Sequence, residues 1–374
     1  MIIDGDQHVY EPRDCWRARI DPAFRDDALA IEDDDLGYAW LTHRGRKLYL
    51  AEIQRPGKAK PIGEERLRIE RGEPADGSYD ELLPIEYTDP DARIKQLDLW
   101  GIDEAILLPN FGLLWEEMLE PPARLANMRA YNRWIAETTA DARLHGVAHV
   151  SLADAGWLDE ELATLSAGGV RLAMVAPSPV GGRALGHPDL DPVWSSFTEH
   201  GVSPIFHVGG FRQPLDPALF ADDPEPVDKV IASALLWVAP ATALAHMAVH
   251  GAFQRHPDLR VGVIELTAHW VPQFMLMLDG AWGFYAARHG RPLTELPLRP
   301  SEYVARQVRV GALAYESPAR LIEQAGDLFM YGSDWPHAEG IAEPLATYEG
   351  ALDGLPDERR GPLMGGNVEW LLGR

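Results

Sequence analysis

The sequence predicts an α/β fold, a (β/α)8 barrel of the TIM type, on three observations. Eight short apolar runs recur along the chain. Amphipathic stretches of helical period separate these runs, which is the pattern of repeated βα units. The length of 374 residues and the hydrophobic fraction of 46% suit a single large barrel core.

The eight apolar runs are the predicted barrel strands. The first is MIID at the beginning of the chain, and the others occupy residues 102–109, 146–152, 169–177, 203–209, 259–266, 308–315 and 327–334. The segments between them have helical period, and several begin with Asp or Ser and end with Gly, as capped helices do. The clearest helical segments are residues 91–101, 123–142, 157–169, 191–201 and 317–326. Eight strands with interposed helices favour a closed barrel over an open sheet.

Two segments do not fit the repeat and are predicted to be insertions. Residues 17–87 are rich in charge, Gly and Pro and separate the first strand from its helix. Residues 211–228 form a shorter insertion after the fifth strand. Both leave from carboxyl ends of strands, which is the active-site face of a barrel. We therefore expect one barrel over residues 1–374, with residues 17–87 as an inserted subdomain or lid.

Charge and cysteine content narrow the class of protein. The formal charge of −24 opposes binding to nucleic acid or to an anionic membrane surface, so neither is an expected partner. The single cysteine, Cys15, excludes an internal disulfide framework. With no signal-peptide pattern, a cytoplasmic protein acting on a small molecule is expected.

Acids and histidines end three of the predicted strands. Asp6 and His8 lie two residues apart on the first strand, so their side chains point to the same side of it. His207 ends the fifth run and Asp334 ends the eighth. A divalent cation explains this convergence, because imidazole nitrogen and carboxylate oxygen suit zinc or manganese and the ion offsets the repulsion between acids.

Four stretches resemble the motifs of a known family. They are DGDQHVYEP (4–12), PIFHVGG (204–210), HGAFQRHPDLRVGVIE (250–265) and YGSDWPHAEG (331–340). They are similar to the amidohydrolase-related family that includes aminocarboxymuconate-semialdehyde decarboxylase and γ-resorcylate decarboxylase. This resemblance implies a metal-dependent barrel and a homodimer. It also implies the metal ligands Asp6, His8, His207 and Asp334.

The departures from the family pattern refine the expected site. Asp6 stands where the family often has His or Glu. The fourth strand offers Arg171 and no lysine to bridge two metals, so a single ion, zinc or else manganese, is expected. Decarboxylase relatives carry a catalytic histidine at the end of the sixth strand, where this chain has Glu265 with His269 four residues on.

Five further residues are candidates for supporting roles. Glu11 could accept a hydrogen bond from a ligand imidazole, or lie in a solvated turn. His337 could meet the substrate or cap a helix, and Arg171 could bind a substrate carboxylate or form an outward salt bridge. His246 and His269 could reach the pocket, although a buried structural role fits His246 equally.

Two reactions fit the predicted site. In the first, a metal-activated water hydrolyses an amide, ester or lactone of a small aromatic or cyclic molecule, with Asp334 taking a proton and Glu265 and His337 assisting. In the second, an aromatic or unsaturated carboxylic acid loses carbon dioxide. The sequence places hydrolysis slightly ahead.

Two alternatives from other classes stay open at this point. Glu265 and Asp334 could be the carboxylate pair of a metal-free glycosidase, although this assignment leaves the histidines unexplained. The barrel could also bind a ligand or partner without catalysis, since a fold alone does not establish activity.

Overall fold

In the part of the chain that the structure describes, eleven strands form a large parallel sheet and a small antiparallel one. The computed structural model describes residues 1–56, 64–111, 118–209, 211, 214–215 and 226–374. The strands are β1 (Ile3–Val9), β2 (Leu29–Asp33), β3 (Ala39–His43), β4 (Arg46–Leu50), β5 (Glu104–Pro109), β6 (Leu144–His149), β7 (Leu172–Met174), β8 (Ser203–Phe206), β9 (Val261–Val263), β10 (Val308–Ala312) and β11 (Phe329–Tyr331). The parallel sheet has the order β1-β5-β6-β7-β8-β9-β10-β11. Each of its strands lies within or overlaps one of the eight predicted runs, so the predicted (β/α)8 barrel is confirmed.

The barrel closes between its first and last strands. Gln7 of β1 and Trp335 after β11 form a parallel bridge. The His8 amide donates to the Trp335 carbonyl at 2.7 Å, and the Asp334 amide donates to the Asp6 carbonyl at 2.8 Å. These backbone bonds bring the candidate ligands of the first and eighth strands side by side.

Helices follow the strands and cover the outside of the barrel. They are α1 (Glu64–Glu70), α2 (Tyr79–Leu82), α3 (Pro90–Trp100), α4 (Pro121–Thr138), α5 (Ala155–Ala167), α6 (Asp191–His200), α7 (Pro226–Ala234), α8 (Val238–Val249), α9 (Ala252–Arg255), α10 (Trp270–His289), α11 (Pro300–Gln307), α12 (Pro318–Ala325), α13 (Pro344–Gly350), α14 (Asp357–Gly361) and α15 (Asn367–Leu371). Sequence signals define several ends. Asp89 and Asp154 accept backbone hydrogen bonds at the beginnings of α3 and α5, and left-handed Gly101 and Gly201 end α3 and α6.

The barrel interior is apolar at one end and ionisable at the other. The apolar cluster contains strand residues such as Ile106, Val147 and Ile205, together with Val368 and Leu371 of α15. The C-terminal helix therefore closes the floor of the barrel. The predicted metal ligands lie at the opposite, carboxyl ends of the strands. The apolar end therefore stabilises the barrel by packing, and the carboxyl end carries the candidate functional residues.

Residues 17–87 contain the antiparallel sheet β2-β3-β4. This sheet is joined to the barrel layer because Leu29, Ile31 and Leu41 are buried in the main hydrophobic core. The Leu29 amide also donates to Asn127 of α4 at 2.8 Å. The proposed lid function of this segment stays a prediction.

The second predicted insertion, residues 211–228, lies largely outside the described residues. Of its helical part, α7 begins at Pro226. Among the described residues, one segment, Val230–Val249 in α7 and α8, has the length and mean hydropathy (1.7) of a membrane-spanning helix, and 33% of it is buried in the protein.

Candidate metal centre

Five ionisable side chains meet at the carboxyl end of the barrel. Asp6 and His8 are on β1, and His207 directly follows β8. Glu265 follows β9 by two residues, and Asp334 follows β11 by three. Asp6, His8, His207 and Asp334 are almost fully buried, and the Glu265 side chain is 13% exposed. The structure therefore brings together the four predicted metal ligands and adds Glu265 to them.

The backbone at two of these residues is unusual. Glu265 has a φ of 51° and Asp334 a φ of 53°, which is the left-handed region that favours glycine. Such a conformation costs about 1–3 kcal/mol and persists only where the surrounding structure imposes it. Both residues end short barrel strands, so the strained turns direct these two carboxylates toward the barrel axis.

The distances between the ligand atoms suit one small cation. His8 Nε2 lies 3.6 Å from Asp6 Oδ1, 3.7 Å from Glu265 Oε2 and 3.4 Å from Asp334 Oδ1. His207 Nε2 lies 3.2 Å from Glu265 Oε2 and 4.0 Å from Asp6 Oδ1. Ligands bound about 2.1 Å from one ion are about 3.4 Å apart in a tetrahedral site. These pairs are therefore spaced as ligands of one ion are. The closely spaced ligand atoms form two groups that share His8, namely His8 with Glu265, Asp334 and His337, and Asp6 with His8 and His207.

Four of these atoms have no hydrogen-bond partner among the described residues. They are Asp6 Oδ1, His8 Nε2, His207 Nε2 and Glu265 Oε2, all buried. The second oxygen of Asp334, Oδ2, is also buried without such a partner. Leaving one buried polar atom unsatisfied typically costs about 1–3 kcal/mol. Four such atoms, with Asp334 Oδ1 3.4 Å from one of them, fit a bound cation. This carboxylate and imidazole set suits zinc or manganese.

The two histidines are held in the form that binds a metal. His8 Nδ1 donates to the Pro109 carbonyl at 3.0 Å, and His207 Nδ1 donates to the Val208 carbonyl at 3.0 Å. Each Nε2 therefore presents a lone pair to the centre. Burial, followed by the neighbouring His8, lowers the pKa of His207 to about 3, so this imidazole is neutral at physiological pH.

The carboxylates repel one another in the absence of a cation. Burial, followed by the neighbouring Asp334 carboxylate, raises the pKa of Asp6 and of Glu265 well above the ordinary range. A divalent ion reverses this effect, because opposite charge favours the ionised form. Three acids within one buried cluster are therefore a further sign of a cation site.

Asp334 is fixed by its neighbour His337. His337 Nδ1 donates to Asp334 Oδ1 at 2.8 Å, and its Nε2 lies 3.0 Å from Asn110 Oδ1. The His337 ring also packs on the His8 ring, with centroids 3.8 Å apart. Burial alone would raise the pKa of Asp334, but His337 and then His8 hold that pKa below its ordinary value.

A buried arginine supports the backbone beneath the ligands. Arg93 of α3 donates to the His8 carbonyl at 2.8 Å, to Gln7 Oε1 at 3.2 Å and to the Glu86 carbonyl at 2.8 Å. Its guanidinium also lies over the Trp335 ring, 4.5 Å from the centroid. Arg93 thus contacts both sides of the β1–β11 closure.

A buried carboxyl group lies under the same closure. Asp4 accepts hydrogen bonds from the Asp6 amide at 3.2 Å, from Gln7 at 2.9 Å and from the Ser333 amide at 3.0 Å. Burial raises the pKa of Asp4 to about 6, and the bonds from Ser333 and Gln7 limit this rise. Asp4 therefore fixes the residues next to the ligands on both strands.

The structure does not bring every predicted residue to the centre. The Glu11 carboxylate accepts from the Phe111 amide, with both oxygens 3.1 Å from the nitrogen. The role expected for it, partner of a ligand imidazole, is taken by the Pro109 and Val208 carbonyls. Arg171 lies at the amino end of β7, where it donates to the Ser166 carbonyl and hydroxyl at 2.9 and 2.7 Å.

The two remaining histidines also lie outside the cluster. His246 is on α8, half-buried, with its ring stacked on His250 at 5.2 Å. His269 is exposed at the beginning of α10, on the side of the barrel rim. Neither belongs to the groups of closely spaced ligand atoms in the described residues.

The sequence analysis did not identify two residues that support the candidate ligands, Asn110 and Arg93. Asn110 follows the second predicted strand directly, so the strand-end rule that identified His207 and Asp334 would also have found it. Arg93 lies in a helix and gave no such signal. The closeness of Glu265 to both histidines was also not apparent. A position at the end of a strand predicts at which end of the barrel a side chain lies, but not its distance from other side chains.

Comparison with known proteins places this fold in a family. The family model described as Amidohydrolase matches residues 84–374. Among curated proteins, none matches the chain. A solved amidohydrolase from Mycobacterium avium subsp. paratuberculosis K-10 is 30% identical, with a TM-score of 0.80, and the match covers 100% of this chain and 99% of that one.

Two solved decarboxylases share the fold at lower identity. The 2,6-dihydroxybenzoate decarboxylase from Rhizobium is 16% identical, with a TM-score of 0.59, over 100% of this chain and 98% of that chain. The 5-carboxyvanillate decarboxylase from Novosphingobium aromaticivorans DSM 12444, complexed with manganese and 4-hydroxy-3-methoxy-5-nitrobenzoic acid, is 18% identical, with a TM-score of 0.62, over 100% and 96%. The extent of the family match and the identity to the mycobacterial protein show that this chain belongs to the amidohydrolase family and is a metal-dependent enzyme.

Proposed function

We propose that this enzyme is a carboxy-lyase that removes carbon dioxide from a small aromatic or unsaturated carboxylic acid without an oxidant. One observation carries the proposal. Two groups of closely spaced carboxylates and imidazoles, which share His8, lie at the rim of a barrel that matches solved benzoate-type decarboxylases over its full length. One of those decarboxylases holds manganese together with a nitro analogue of an aromatic acid.

The proposed ligands are Asp6, His8, His207, Glu265 and Asp334. Their unpartnered, buried donor atoms and their spacing support this assignment. A divalent ion bound there would supply a Lewis acid that binds and polarises oxygen atoms of the substrate. The ligand role proposed for Glu265 differs from the acid–base role expected from sequence, because its Oε2 lies 3.7 Å from His8 Nε2 and 3.2 Å from His207 Nε2.

Asp334 is the proposed proton carrier. Its Oδ1 is held by His337, whereas its buried Oδ2 has no hydrogen-bond partner. A proton carried at Oδ2 passes to the substrate carbon that bears the carboxylate. The carbon–carboxylate bond then breaks, its electron pair restores the unsaturated system, and carbon dioxide leaves. His337 orients Asp334 during the transfer and partly neutralises its charge afterwards.

Hydrolysis is the second candidate. It is favoured by the name of the mycobacterial relative, an amidohydrolase, which has the higher identity. The same five ligands serve either reaction, since both need a polarised substrate oxygen. Hydrolysis breaks an amide, ester or lactone bond and adds an oxygen atom from water. Decarboxylation breaks the bond between carbon and carboxylate and adds a hydrogen atom to that carbon.

The test offers both kinds of substrate to the manganese-loaded and the zinc-loaded enzyme. One set contains 2,6-dihydroxybenzoate and 5-carboxyvanillate, and the other contains their methyl esters, simple amides and aromatic lactones. In deuterated water, decarboxylation releases carbon dioxide and leaves deuterium on the vacated carbon, and Asp334→Asn should abolish both signals. Release of methanol or amine with the carboxylate retained would overturn the proposal in favour of hydrolysis.

A further inference from the structure

Gln54 lies in the first insertion and is bonded to the turn that carries Asp334. Its side-chain Oε1 accepts a hydrogen bond from the Ala338 amide at 2.9 Å, across 284 positions of the chain. Ala338 directly follows His337, whose Nδ1 donates to Asp334 Oδ1 at 2.8 Å. One side chain of the insertion therefore holds the peptide next to the His337–Asp334 pair.

Two tyrosines fix the backbone of Gln54. The Gln54 amide donates to the Tyr10 hydroxyl at 2.9 Å, and the Tyr87 hydroxyl donates to the Gln54 carbonyl at 3.0 Å. Both tyrosines are buried, and their ring centroids lie 5.2 Å apart. The Gln54 side chain therefore extends from a backbone that is held at its donor and at its acceptor. Directing Oε1 at the Ala338 amide then costs little further conformational entropy.

The same tyrosines join Gln54 to both sides of the β1–β11 closure. Tyr10 directly follows β1. The Tyr87 ring packs edge to face on the ring of Trp335, which belongs to the turn after β11, and the ring centroids lie 4.9 Å apart. Gln54 is thus tied to the ends of the two strands that meet at the candidate metal centre.

The Ala338 amide is held differently from its neighbours in the turn. The His337 amide donates to the Asp334 carbonyl at 2.9 Å, and the Gly340 amide donates to the His337 carbonyl at 3.0 Å. Those two bonds stay within the turn, whereas the Ala338 amide donates to the insertion. Without the Gln54 acceptor, the peptide between His337 and Ala338 keeps one of its two bonds and can tilt, which turns the His337 side chain.

We propose that Gln54 is a positioning residue of the active site. By accepting from the Ala338 amide, it fixes the His337 backbone and thereby the direction of the hydrogen bond from His337 to Asp334. This role rests on the proposed function, in which Asp334 carries the proton to the substrate. A displacement of about 1 Å at a reacting group can cost about 100-fold in rate, so a bond that steadies the proton carrier has a large effect. Through this contact the insertion supports the reaction from outside the barrel.

Variants of Gln54 separate the hydrogen bond from the shape of the side chain. Gln54→Met has nearly the same length but no oxygen, and Gln54→Asn keeps the amide but is one methylene shorter. Gln54→Glu keeps an oxygen at the same place and should restore the bond. The matched control is Tyr87→Phe, which removes a hydrogen bond from the Gln54 carbonyl and leaves the side-chain bond to Ala338.

Hydrogen exchange of the metal-free protein tests the contact directly. The Ala338 amide, followed by mass spectrometry, should exchange at least about 10-fold faster in Gln54→Met and Gln54→Asn than in the wild type, because its local opening costs less. Gln54→Glu and Tyr87→Phe should keep the wild-type rate, and circular dichroism checks the fold of each variant. Exchange at the wild-type rate in Gln54→Met would overturn the proposal, whichever reaction the enzyme performs.

Kinetics of the metal-loaded enzyme test the consequence for the reaction. Gln54→Met should lower kcat for decarboxylation at least about 10-fold and leave KM within about 2-fold, because proton transfer depends on the direction of Asp334 and substrate binding does not. Gln54→Glu should recover most of the lost kcat. An unchanged kcat in Gln54→Met, or a rise in KM alone, would overturn the role of Gln54 and leave the proposed function intact.

The same comparison separates this role from the reaction itself. If the wild type hydrolyses esters and releases no carbon dioxide, the proposed function fails. A loss of kcat on the ester in Gln54→Met, with recovery in Gln54→Glu, would still support the positioning role, because Asp334 takes a proton in hydrolysis too. An unchanged kcat on the ester would overturn that role.

Discussion

The two oxygens of Asp334 have different surroundings. Oδ1 accepts from His337 and lies 3.4 Å from His8 Nε2, whereas Oδ2 is buried without a partner. An asparagine fits the same space but carries no negative charge and no acidic proton. Asp334→Asn therefore separates the shape of this residue from its chemistry.

At this scale the first prediction concerns metal binding. His207→Ala and Asp334→Asn should each lower the affinity for zinc and manganese by more than the 10–100-fold typical of residues behind the ligands. Titration calorimetry on metal-free protein measures this loss, and circular dichroism checks that the barrel stays folded. His246→Ala is the matched control, because His246 lies on α8 away from the cluster. Wild-type affinity in both ligand variants would refute the assignment of the centre.

A second residue-scale prediction concerns Arg93. Arg93→Met keeps much of the packing on Trp335 but removes the donors to the His8 carbonyl, Gln7 and the Glu86 carbonyl. We expect the free energy of unfolding to fall by about 3 kcal/mol or more, since acceptors are left buried. Urea denaturation measures the change, with Arg320→Met, at an exposed position of α12, as the control. A loss no larger than that of the control would mean that Arg93 does not stabilise the closure.

Individual residues were predictable where they obey the strand-end rule. Asp6, His8, His207 and Asp334 end strands 1, 5 and 8, and the structure brings them together. Arg171 was not separable from them by sequence, because a residue at the beginning of a strand and one at its end look alike in a single apolar run. Its bonds to Ser166 place it at the amino end of β7.

Among the elements, the turn after β11 is tightly constrained. It carries Asp334 in a left-handed conformation and His337 three residues later. Gly340 closes this turn, and its amide donates to the His337 carbonyl at 3.0 Å. A Cβ atom at Gly340 would lie 2.2 Å from the Asp334 carbonyl oxygen, closer than any real contact.

This geometry gives a prediction for the turn. Gly340→Ala should displace the Asp334 backbone and lower metal affinity and stability together, because the clash is with backbone that cannot rotate away. Gly350→Ala is the control, since a Cβ atom there meets nothing within 4 Å. Calorimetry and thermal unfolding give the two readouts. Equal behaviour of the two alanine variants would show that the turn is free to move.

The elements of the barrel were predictable and those of the first insertion were not. All eight apolar runs contain or overlap a barrel strand, because strands buried on both faces are apolar throughout. Strands β2 and β4 include the exposed charged residues Glu32, Arg46 and Lys47. Their burial does not alternate, so these short strands gave no period-two signal in a segment that is charged overall.

For the whole molecule, the metal is expected to contribute to stability. The unpartnered atoms of the centre lie close together only in the folded barrel. An ion that binds them therefore stabilises the folded state over the unfolded state. At an ion concentration about 1,000 times the dissociation constant, the gain is about 4 kcal/mol. Thermal unfolding should therefore shift upward with zinc or manganese and return to its starting point with a chelator. His207→Ala should show little shift, and an equal shift in that variant would place the ion elsewhere.

The fold and the kind of centre followed from the sequence, but the reaction did not. Hydrolysis was slightly favoured because Glu265 replaces the histidine of decarboxylase relatives. Solved decarboxylases share the fold, and decarboxylation is the reaction that we propose. The ligand set is common to both reactions, and the walls that receive the substrate depend on loops whose course no local pattern determines.

The closure of the barrel between β1 and β11 also bears on how the protein is made. The Asp4–Ser333 hydrogen bond joins residues 329 positions apart, and the proposed ligands Asp6 and Asp334 lie beside this bond. During translation, Asp6 and His8 leave the ribosome long before Asp334 is synthesised. A nascent chain halted before β11 would therefore hold only some of the proposed ligands, and we expect firm binding of zinc or manganese only after the eighth strand has emerged and docked.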